Sequence, residues 1–366
     1  MSAIINTPRA LTNTEAAFLS LIRRGINHSA ADDLIVPDWM ELQALATRQG
    51  LAAILMDGIE QLPLELRPPK VLLLQWIGEV LQNYEQRYSL YQRAIAEMAG
   101  FFNEHHYKMM ILKGYACSLD WPKPEHRLCG DIDIWLFGKS READFLLERE
   151  KGIEVNRSEP HHTVSYWRDF MVEDHFDFID VNHHRSHRAL EKTLKELGKD
   201  DTHSVELNGE TVYIPSPNLH ALFLQRHSML HFAFGKFSLR QLLDWAFFVK
   251  AHGQDVDWKW LMSVLEQHGM TPLFNLFNAI CIEDLGFEAE LFPRAEVDPV
   301  LKQRVLNEIF IPEFNEQQPS SLIPRVLFKY RRWKANGWKH ALCYKESMRS
   351  AFWSGVWGHM LKPASI

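Results

Sequence analysis

The sequence predicts an α+β protein in which a mixed β-sheet core lies between two helical regions. From about residue 13 to 106, apolar residues recur at spacings of three and four, as on amphipathic helices. Between about 107 and 215, short apolar and alternating runs are separated by turn signals, a pattern typical of strands. A helical pattern returns after Pro215-Ser216-Pro217. We therefore divide the chain into three regions, 1–106, 107–215 and 216–366.

The first region contains recognisable helix starts. Asn13-Thr14-Glu15 provides capping residues for a first helix, and Pro37-Asp38 precedes a second. The stretch from Pro68-Pro69 to about Tyr107 contains no further proline, and its apolar residues keep the helical spacing. The sequence therefore predicts a long amphipathic helix over most of that stretch.

The middle region contains the predicted strands. Asn208-Gly209 favours a tight turn and predicts a hairpin between its flanking runs. Ser140 is placed to cap a helix that follows the second strand. The predicted strands are 108–112, 128–136, 163–167, 176–181, 205–207 and 211–214.

Composition limits the class of protein. The 366 residues carry a net charge of −7 and are 46% hydrophobic, which suits a folded chain without a uniformly basic surface for nucleic acid. The four cysteines form no C-x-x-C pair, so no disulfide scaffold is expected. We find no secretory signal pattern and no run of 18 apolar residues, so a cytoplasmic protein without a membrane span is expected.

The residues most indicative of chemistry are Asp131 and Asp133, which flank Ile132 in a predicted strand. Strand side chains alternate between faces, so the two carboxylates point the same way. Neighbouring carboxylates resist joint ionisation unless a cation lies between them. The pair therefore predicts a Mg²⁺ site and phosphate chemistry.

Two further elements fit that chemistry. Lys113-Gly114 ends a predicted strand and begins a helix, where free N–H groups and close backbone approach favour a phosphate. Asp180 lies in the predicted strand 176–181 and offers a third carboxylate; Asp177 falls on the opposite face. A phosphate cradle with three carboxylates suits two-metal phosphoryl or nucleotidyl transfer.

These segments together resemble the nucleotidyltransferase superfamily that includes polymerase β, and more narrowly its bacterial branch of uncharacterised nucleotidyltransferases. The resemblance spans about residues 108–250 and rests on four segments. These are Ile111-Leu112-Lys113-Gly114-Tyr115-Ala116, the run from Arg127 through Gly130-Asp131-Ile132-Asp133-Ile134, Asp180-Val181-Asn182-His183-His184, and the set His227, His231, Arg240 and Asp244.

The resemblance implies a nucleotidyltransferase-like sheet and an enzyme that moves a nucleoside monophosphate from an NTP to an acceptor, releasing pyrophosphate. It implies Mg²⁺ or Mn²⁺ as cofactor, with Asp131, Asp133 and Asp180 as metal ligands and catalytic residues, and Asp180 as base. Nucleotide-binding residues would be Lys113, Gly114, Arg127 and Gly130. Acceptors in the superfamily include small molecules, proteins and RNA ends, and the sequence does not choose among them.

One departure from the superfamily pattern leaves alternatives open. The usual turn is glycine-serine, whose hydroxyl contacts the triphosphate, whereas this chain has Lys113-Gly114-Tyr115. A non-catalytic nucleotide-binding or interaction protein on the same fold is therefore a second hypothesis. A third is a sugar-nucleotide glycosyltransferase, which also uses D-x-D but expects strands among residues 13–100.

The 18 histidines raise the question of a zinc or iron site. Those of the middle region include His161, His162, His175, His183, His184 and His187, whose spacing matches no familiar ligand pattern. His227 and His231 stand four apart, but Ser228 replaces the glutamate of H-E-x-x-H. We expect a structural role for that pair, with the core or with Asp244.

The segment 325–349 is basic and rich in aromatic residues, with Glu346 as its one acid. Such a segment suits an acidic partner, a nucleic acid or a membrane surface. The alternative is a solvated helix whose aromatic side chains pack on the protein body.

Overall fold

The structure is a computed structural model that describes residues 8–28, 38–182, 184–316 and 318–351. Its strands are β1 Met110–Ile111, β2 Ile132–Trp135, β3 His162–Trp167, β4 Phe170–His175, β5 Ser204–Leu207 and β6 Glu210–Tyr213. Its α-helices are α1 Asn13–Gly25, α2 Trp39–Gln49, α3 Ala52–Glu60, α4 Lys70–Val80, α5 Arg87–Glu104, α6 Tyr115–Ser118, α7 Ser140–Lys151, α8 Arg185–Leu197, α9 Pro217–Phe234, α10 Leu239–His252, α11 Trp258–Gln267, α12 Thr271–Glu283, α13 Pro299–Phe310, α14 Leu322–Ala335 and α15 Gly337–Cys343.

The predicted helix starts are close to the observed ones. Thr12, one residue before the predicted cap, accepts from the Glu15 backbone N–H at 3.2 Å, and the Glu15 carboxylate accepts from the Thr12 N–H at 2.9 Å. Asp38 caps α2 as predicted. The long helix predicted after Pro69 is α4 and α5 with a π-helical segment, Leu81–Gln86, between them in sequence.

The chain folds as two compact units. The first consists of Met1–Val80, Gln225–Lys250 and Leu265–Tyr344, and its described elements are helical. Within it α1 and α3 approach closely, since a Cβ on Gly25 would lie 2.1 Å from the Ile54 carbonyl oxygen. The second consists of Leu81–Leu224, Ala251–Val264 and Lys345–Ile366 and contains the sheet.

The sheet is mixed, as predicted, with strand order β3-β4-β2-β1-β6-β5. β2 and β4 are parallel neighbours, as are β1 and β6, and the other pairs are antiparallel. The predicted hairpin around Asn208-Gly209 is confirmed as β5 and β6. In the described segments between residues 13 and 100 the regular elements are helices, without the strands that a glycosyltransferase of the D-x-D type would need.

The two faces of the central strands have different surroundings. Ile132 and Ile134 of β2 and Val172 of β4 lie in a buried apolar cluster with residues of α5 and α7, among them Tyr91 and Leu147. Because side chains alternate along a strand, the residues between them point to the opposite face. In the part of the chain that the structure describes, no helix is long and apolar enough to cross a membrane.

Candidate metal and phosphate site

Asp133 and Glu173 lie opposite each other on the parallel strands β2 and β4. Their strand neighbours Ile132 and Val172 are buried in the apolar cluster, so both carboxylates point to the other face of the sheet. His175 lies two residues further along β4 on the same face. One ligand atom each from Asp133, Glu173 and His175 lie within 4.8 Å of one another. The parallel register therefore brings together the two carboxylates and one imidazole.

Lys113 provides a positive charge beside this group. Its ammonium nitrogen lies 2.9 Å from Asp133 Oδ1, and His175 Nε2 lies 3.1 Å from the same oxygen. The Asp133 side chain is fully buried and that of Lys113 is 16% exposed. Burial alone would raise the pKa of Asp133, but Lys113 and His175 outweigh it and hold that pKa well below its usual range.

The pKa of Lys113 is likewise set by burial acting against the neighbouring charges of opposite sign. Burial alone would lower it, but the charges of Asp133 and Asp131 outweigh burial and raise the pKa above its ordinary value. Lys113 and Asp133 are therefore a buried, charged ion pair.

Glu173 differs from Asp133 in its protonation. Burial, followed by the negative charge of Asp133, raises the pKa of Glu173 to about 7. The charge of Asp131 acts in the same direction. Sequence reasoning expected such repulsion between Asp131 and Asp133, and the structure has it between Asp133 and Glu173.

Gly114 permits a close contact that fixes the backbone of Asp131. Its backbone has φ +63° and ψ −104°, a conformation open to glycine. A Cβ at this position would lie 2.4 Å from the hydroxyl oxygen of Tyr91, which donates a 2.8 Å hydrogen bond to the Asp131 carbonyl. The following helix α6 has only four residues, so few peptide dipoles align at its N-terminus. The glycine is therefore required by packing, and the expected helix-dipole contribution to phosphate binding is small.

The other residues predicted from the loop before β2 have different environments. Arg127 is 5% exposed, and its guanidinium donates to the Leu128 carbonyl at 3.3 Å and to Cys129 Sγ at 3.5 Å. Gly130 is exposed, and a Cβ there would meet no described atom within 4 Å. Asp131 is partly exposed immediately before β2. Gly130 and Asp131 thus offer solvent access, whereas Arg127 is directed into the protein.

The prediction of a strand over 176–181 is wrong, and this changes the position of Asp180. Strand β4 ends at His175, and the backbone N–H groups of Phe178 and Ile179 donate to the Glu191 carboxylate at 3.0 Å each. A side chain therefore satisfies the donors that a strand partner would have used. Asp180 lies in the following loop, where its Oδ1 accepts from the backbone and side-chain N–H groups of Asn182 at 2.8 Å.

Glu173 is the residue that sequence reasoning missed, whereas His175 was considered there only for a zinc or iron site. A signal was present, because Phe170-Met171-Val172-Glu173-Asp174-His175 places an acid two residues before a histidine in a run that starts with apolar residues. The turn that precedes it, Arg168-Asp169, is formed with Arg168 at φ +52°. Among described residues, the acid that faces Asp133 across adjacent strands is Glu173 and not Asp180.

Three histidines form a cluster next to the carboxylates. His162 begins β3 opposite His175, and His161 precedes it. One ring nitrogen from each of the three lies within 4.8 Å of the others. Burial, and next the neighbouring His175, lower the pKa of His161 to about 3 and that of His162 to about 4. The imidazoles of His161 and His162 are therefore neutral at neutral pH.

The remaining histidines have other contacts. His187 Nδ1 lies 2.6 Å from the Asp180 carbonyl, and His183 lies outside the described residues. The Nε2 atoms of His227 and His231 lie 3.0 Å apart.

The basic segment 325–349 includes a buried ion pair. Lys339 is 1% exposed and its ammonium lies 2.5 Å from Glu308 Oε1, while Arg331 pairs with Glu316 at 2.8 Å. Lys339 is therefore engaged within the protein and does not contribute to a basic surface.

Comparison with known proteins places the chain in a family. No curated protein matches it. Among solved structures it is similar to an antigenic nucleotidyltransferase-like protein from Paracoccidioides brasiliensis, at 14% identity and a TM-score of 0.34, covering 48% of this chain and 85% of that one. The model of the family described as "Uncharacterised nucleotidyltransferase" matches residues 36–283, more than half of the chain. The chain therefore belongs to this family of uncharacterised nucleotidyltransferases.

Proposed function

We propose that the protein is a Mg²⁺-dependent nucleotidyltransferase, with Mn²⁺ able to replace Mg²⁺, that transfers a nucleoside monophosphate from an NTP to an acceptor and releases pyrophosphate. The observation that supports it best is the register of β2 and β4, which sets Glu173 opposite Asp133. Asp131 stands two residues before Asp133 at the partly exposed end of the strand. Carboxylate oxygens are the ligands that Mg²⁺ prefers.

The donor set fits a hard divalent cation. Asp131, Asp133 and Glu173 would hold it, with Glu173 in the place that the family resemblance gave to Asp180. Asp133 Oδ2 is buried and has no hydrogen-bond partner among the described residues, so this oxygen is the one that a cation would satisfy. When bound, the cation supplies charge stabilisation at the reacting phosphorus and activates the attacking oxygen.

The protein's own groups would then have distinct roles. Lys113 lies beside the carboxylates and places a positive charge where the triphosphate would bind. The acceptor's oxygen attacks the α-phosphorus of the NTP, and the bond from that phosphorus to pyrophosphate breaks. The partly exposed Glu173 accepts the proton that the attacking oxygen loses. Tyr91, by holding the Asp131 carbonyl, keeps the first carboxylate at the end of β2. His175 orients Asp133 through its Nε2 contact.

Calorimetry with Mn²⁺ and a non-hydrolysable NTP tests this function. We expect Asp131→Ala and Glu173→Gln each to weaken cation binding by about tenfold or more, since each removes one anionic ligand. Asp169→Asn, in the exposed turn between β3 and β4, is the matched control and should bind as the wild type does. Asp180→Asn separates the two candidate third carboxylates and should also leave cation binding unchanged. Equal affinity in the wild type and in Asp131→Ala and Glu173→Gln would refute the metal site.

A second candidate is a non-catalytic nucleotide-binding protein, and one observation favours it. Lys113 lies 2.9 Å from the fully buried Asp133 and already neutralises a carboxylate that a catalytic cation would need. In that case NTP binding would not depend on Mg²⁺ or Mn²⁺. Detection of transferred label from an NTP to any acceptor would exclude this candidate, and cation-independent NTP binding would support it.

A further inference from the structure

We propose that His161, His162 and His175 form a second metal site, for a transition-metal ion of the Zn²⁺ class, next to the carboxylates. A ring nitrogen of each histidine lies within 4.8 Å of the others. Neutral imidazole is a preferred ligand of Zn²⁺ and related ions, whereas Mg²⁺ favours oxygen. The nitrogen set therefore selects a different metal from the one expected at Asp131, Asp133 and Glu173.

The distance between the ring nitrogens of two of the histidines fits that between two ligands of one tetrahedral metal ion. His162 Nδ1 lies 3.2 Å from His161 Nε2. Two nitrogens bound to one tetrahedral Zn²⁺ at 2.0–2.1 Å would lie about 3.3 Å apart. The rings are also not stacked, since His161 and His162 are inclined at 86° with centroids 4.5 Å apart. His175 lies with its centroid 5.7 Å from that of His161 and 5.3 Å from that of His162.

His162 and His175 each place one ring nitrogen near a carboxylate, while His175 Nδ1 lies 3.4 Å from the Asp177 carbonyl oxygen. His162 Nε2 lies 3.8 Å from Glu173 Oε1, and His175 Nε2 lies 3.1 Å from Asp133 Oδ1. Metal-bound histidines usually donate their other N–H to a carboxylate or carbonyl, which fixes the ring. An ion held by the three histidines would therefore also fix the imidazoles that contact Asp133 and Glu173.

The backbone holds the three ligands in place. His162 and His175 are directly paired across the antiparallel strands β3 and β4, and both are buried. His161 is partly exposed just before β3, and its Nδ1 is buried without a hydrogen-bond partner among the described residues. A site built on two paired strands needs little rearrangement to bind an ion.

Cobalt spectroscopy on the metal-stripped full chain tests this site without an activity assay. We expect one equivalent of Co²⁺ to give the visible ligand-field absorption of a four-coordinate ion, and excess Mg²⁺ to leave that absorption unchanged. His161→Ala and His162→Gln should each abolish the saturable absorption. Asp131→Ala should retain it, so that loss of the carboxylate site and loss of the histidine site are distinguishable.

Two controls complete the experiment. His203→Ala changes a histidine that is 42% exposed near β5 and should bind Co²⁺ as the wild type does. Circular dichroism establishes that each variant is folded, and the partly exposed His161 provides the variant least expected to perturb folding. Absence of ligand-field absorption in the wild type, displacement by Mg²⁺, or undiminished absorption in folded His161→Ala would each overturn the proposal.

Discussion

Buried acids lie on both faces of the central strands, and their pKa values are shifted in opposite directions on the two faces. On one face Asp133 is accompanied by a lysine and a histidine, and its pKa is held low. On the other face, Asp174 of β4 accepts from the Ser140 hydroxyl at 2.8 Å, and Asp144 of α7 accepts from the Thr163 hydroxyl at 3.0 Å. Burial raises the pKa of Asp174 and of Asp144.

The difference shows that the neighbouring groups, and not the residue type, decide whether a buried acid is ionised. At Asp174 and Asp144 burial outweighs the hydroxyl hydrogen bonds, and at Asp144 it also outweighs Arg157, whose Nε lies 3.5 Å from Oδ2, so the neutral form is favoured. At Asp133 the positive charge of Lys113 and the contact with His175 outweigh burial, so the carboxylate stays ionised. The proposed cation site therefore lies on the face where a buried carboxylate is ionised, and the acids on the α7 face favour the neutral form.

The largest expected effect on stability comes from removing the positive charge of Lys113. Lys113→Met leaves the buried Asp133 without its ion-pair partner, and we expect a loss of about 3 kcal/mol in the free energy of unfolding. If the carboxylates can share a divalent ion, saturating Mn²⁺ should restore most of that loss and stabilise the variant more than the wild type. Thermal unfolding with and without Mn²⁺ measures both effects.

The control for this prediction is a lysine of a surface pair. Lys199 is 69% exposed and pairs with the exposed Glu196 at 2.8 Å, so Lys199→Met should cost less than about 1 kcal/mol and gain nothing from Mn²⁺. If Mn²⁺ fails to rescue Lys113→Met, the lysine is a permanent counter-ion and the non-catalytic candidate gains support.

Much of the fold could be predicted because it depends on local patterns. The alternation around Asp133, the Asn208-Gly209 turn and the Pro37-Asp38 helix start are short-range signals, and the structure has a strand, a hairpin and a helix at these places. The strand predicted over 128–136 is limited to Ile132–Trp135. Ser140 was expected to cap α7 but is its first residue, and its hydroxyl bonds Asp174 instead. Such an exchange of partners depends on tertiary neighbours that a single sequence does not reveal.

The candidate site was harder to predict because its members meet through strand pairing. Asp133 and Glu173 are separated by forty residues in sequence and meet through the parallel register of β2 and β4. Asp180 lies in a run that alternates like a strand, but Glu191 takes the backbone donors nearby and the run becomes a loop. Which of two similar runs joins the sheet is a non-local choice that local periodicity does not determine.

The second largest expected effect is a difference between the two faces in how their acids make the free energy of unfolding depend on pH. Because the pKa of Asp144 is raised by burial, the folded chain retains a proton that the unfolded chain releases near the ordinary carboxyl pKa. Its contribution to stability is therefore present at low pH and lost as pH rises through the folded pKa. For Asp133, whose pKa is lowered, the contribution is present at neutral pH and lost only on acidification.

Asp144→Asn should remove the part of the pH dependence that comes from the α7 face. Between about pH 4 and the folded pKa, the wild type should lose stability relative to the variant by at most about 1.4 kcal/mol per pH unit. Denaturant unfolding of both proteins at several pH values from about pH 4 to about pH 7 measures the difference. A gap between the two proteins that stays constant with pH would mean that Asp144 is ionised in the folded state.

The smallest expected effect tests whether the α7 face is purely structural. The Ser140 hydroxyl is buried and lies 2.8 Å from Asp174 Oδ1 and 3.1 Å from the His175 carbonyl oxygen, so Ser140→Ala should cost about 1 kcal/mol in unfolding free energy. Ser89→Ala, which removes an exposed hydroxyl on α5, should change it by less than about 0.5 kcal/mol. Neither variant should alter Mn²⁺ binding measured by calorimetry, since Ser140 and Asp174 point away from Glu173. Weaker Mn²⁺ binding in Ser140→Ala alone would show that β4 couples its two faces, because the serine holds the strand backbone at His175.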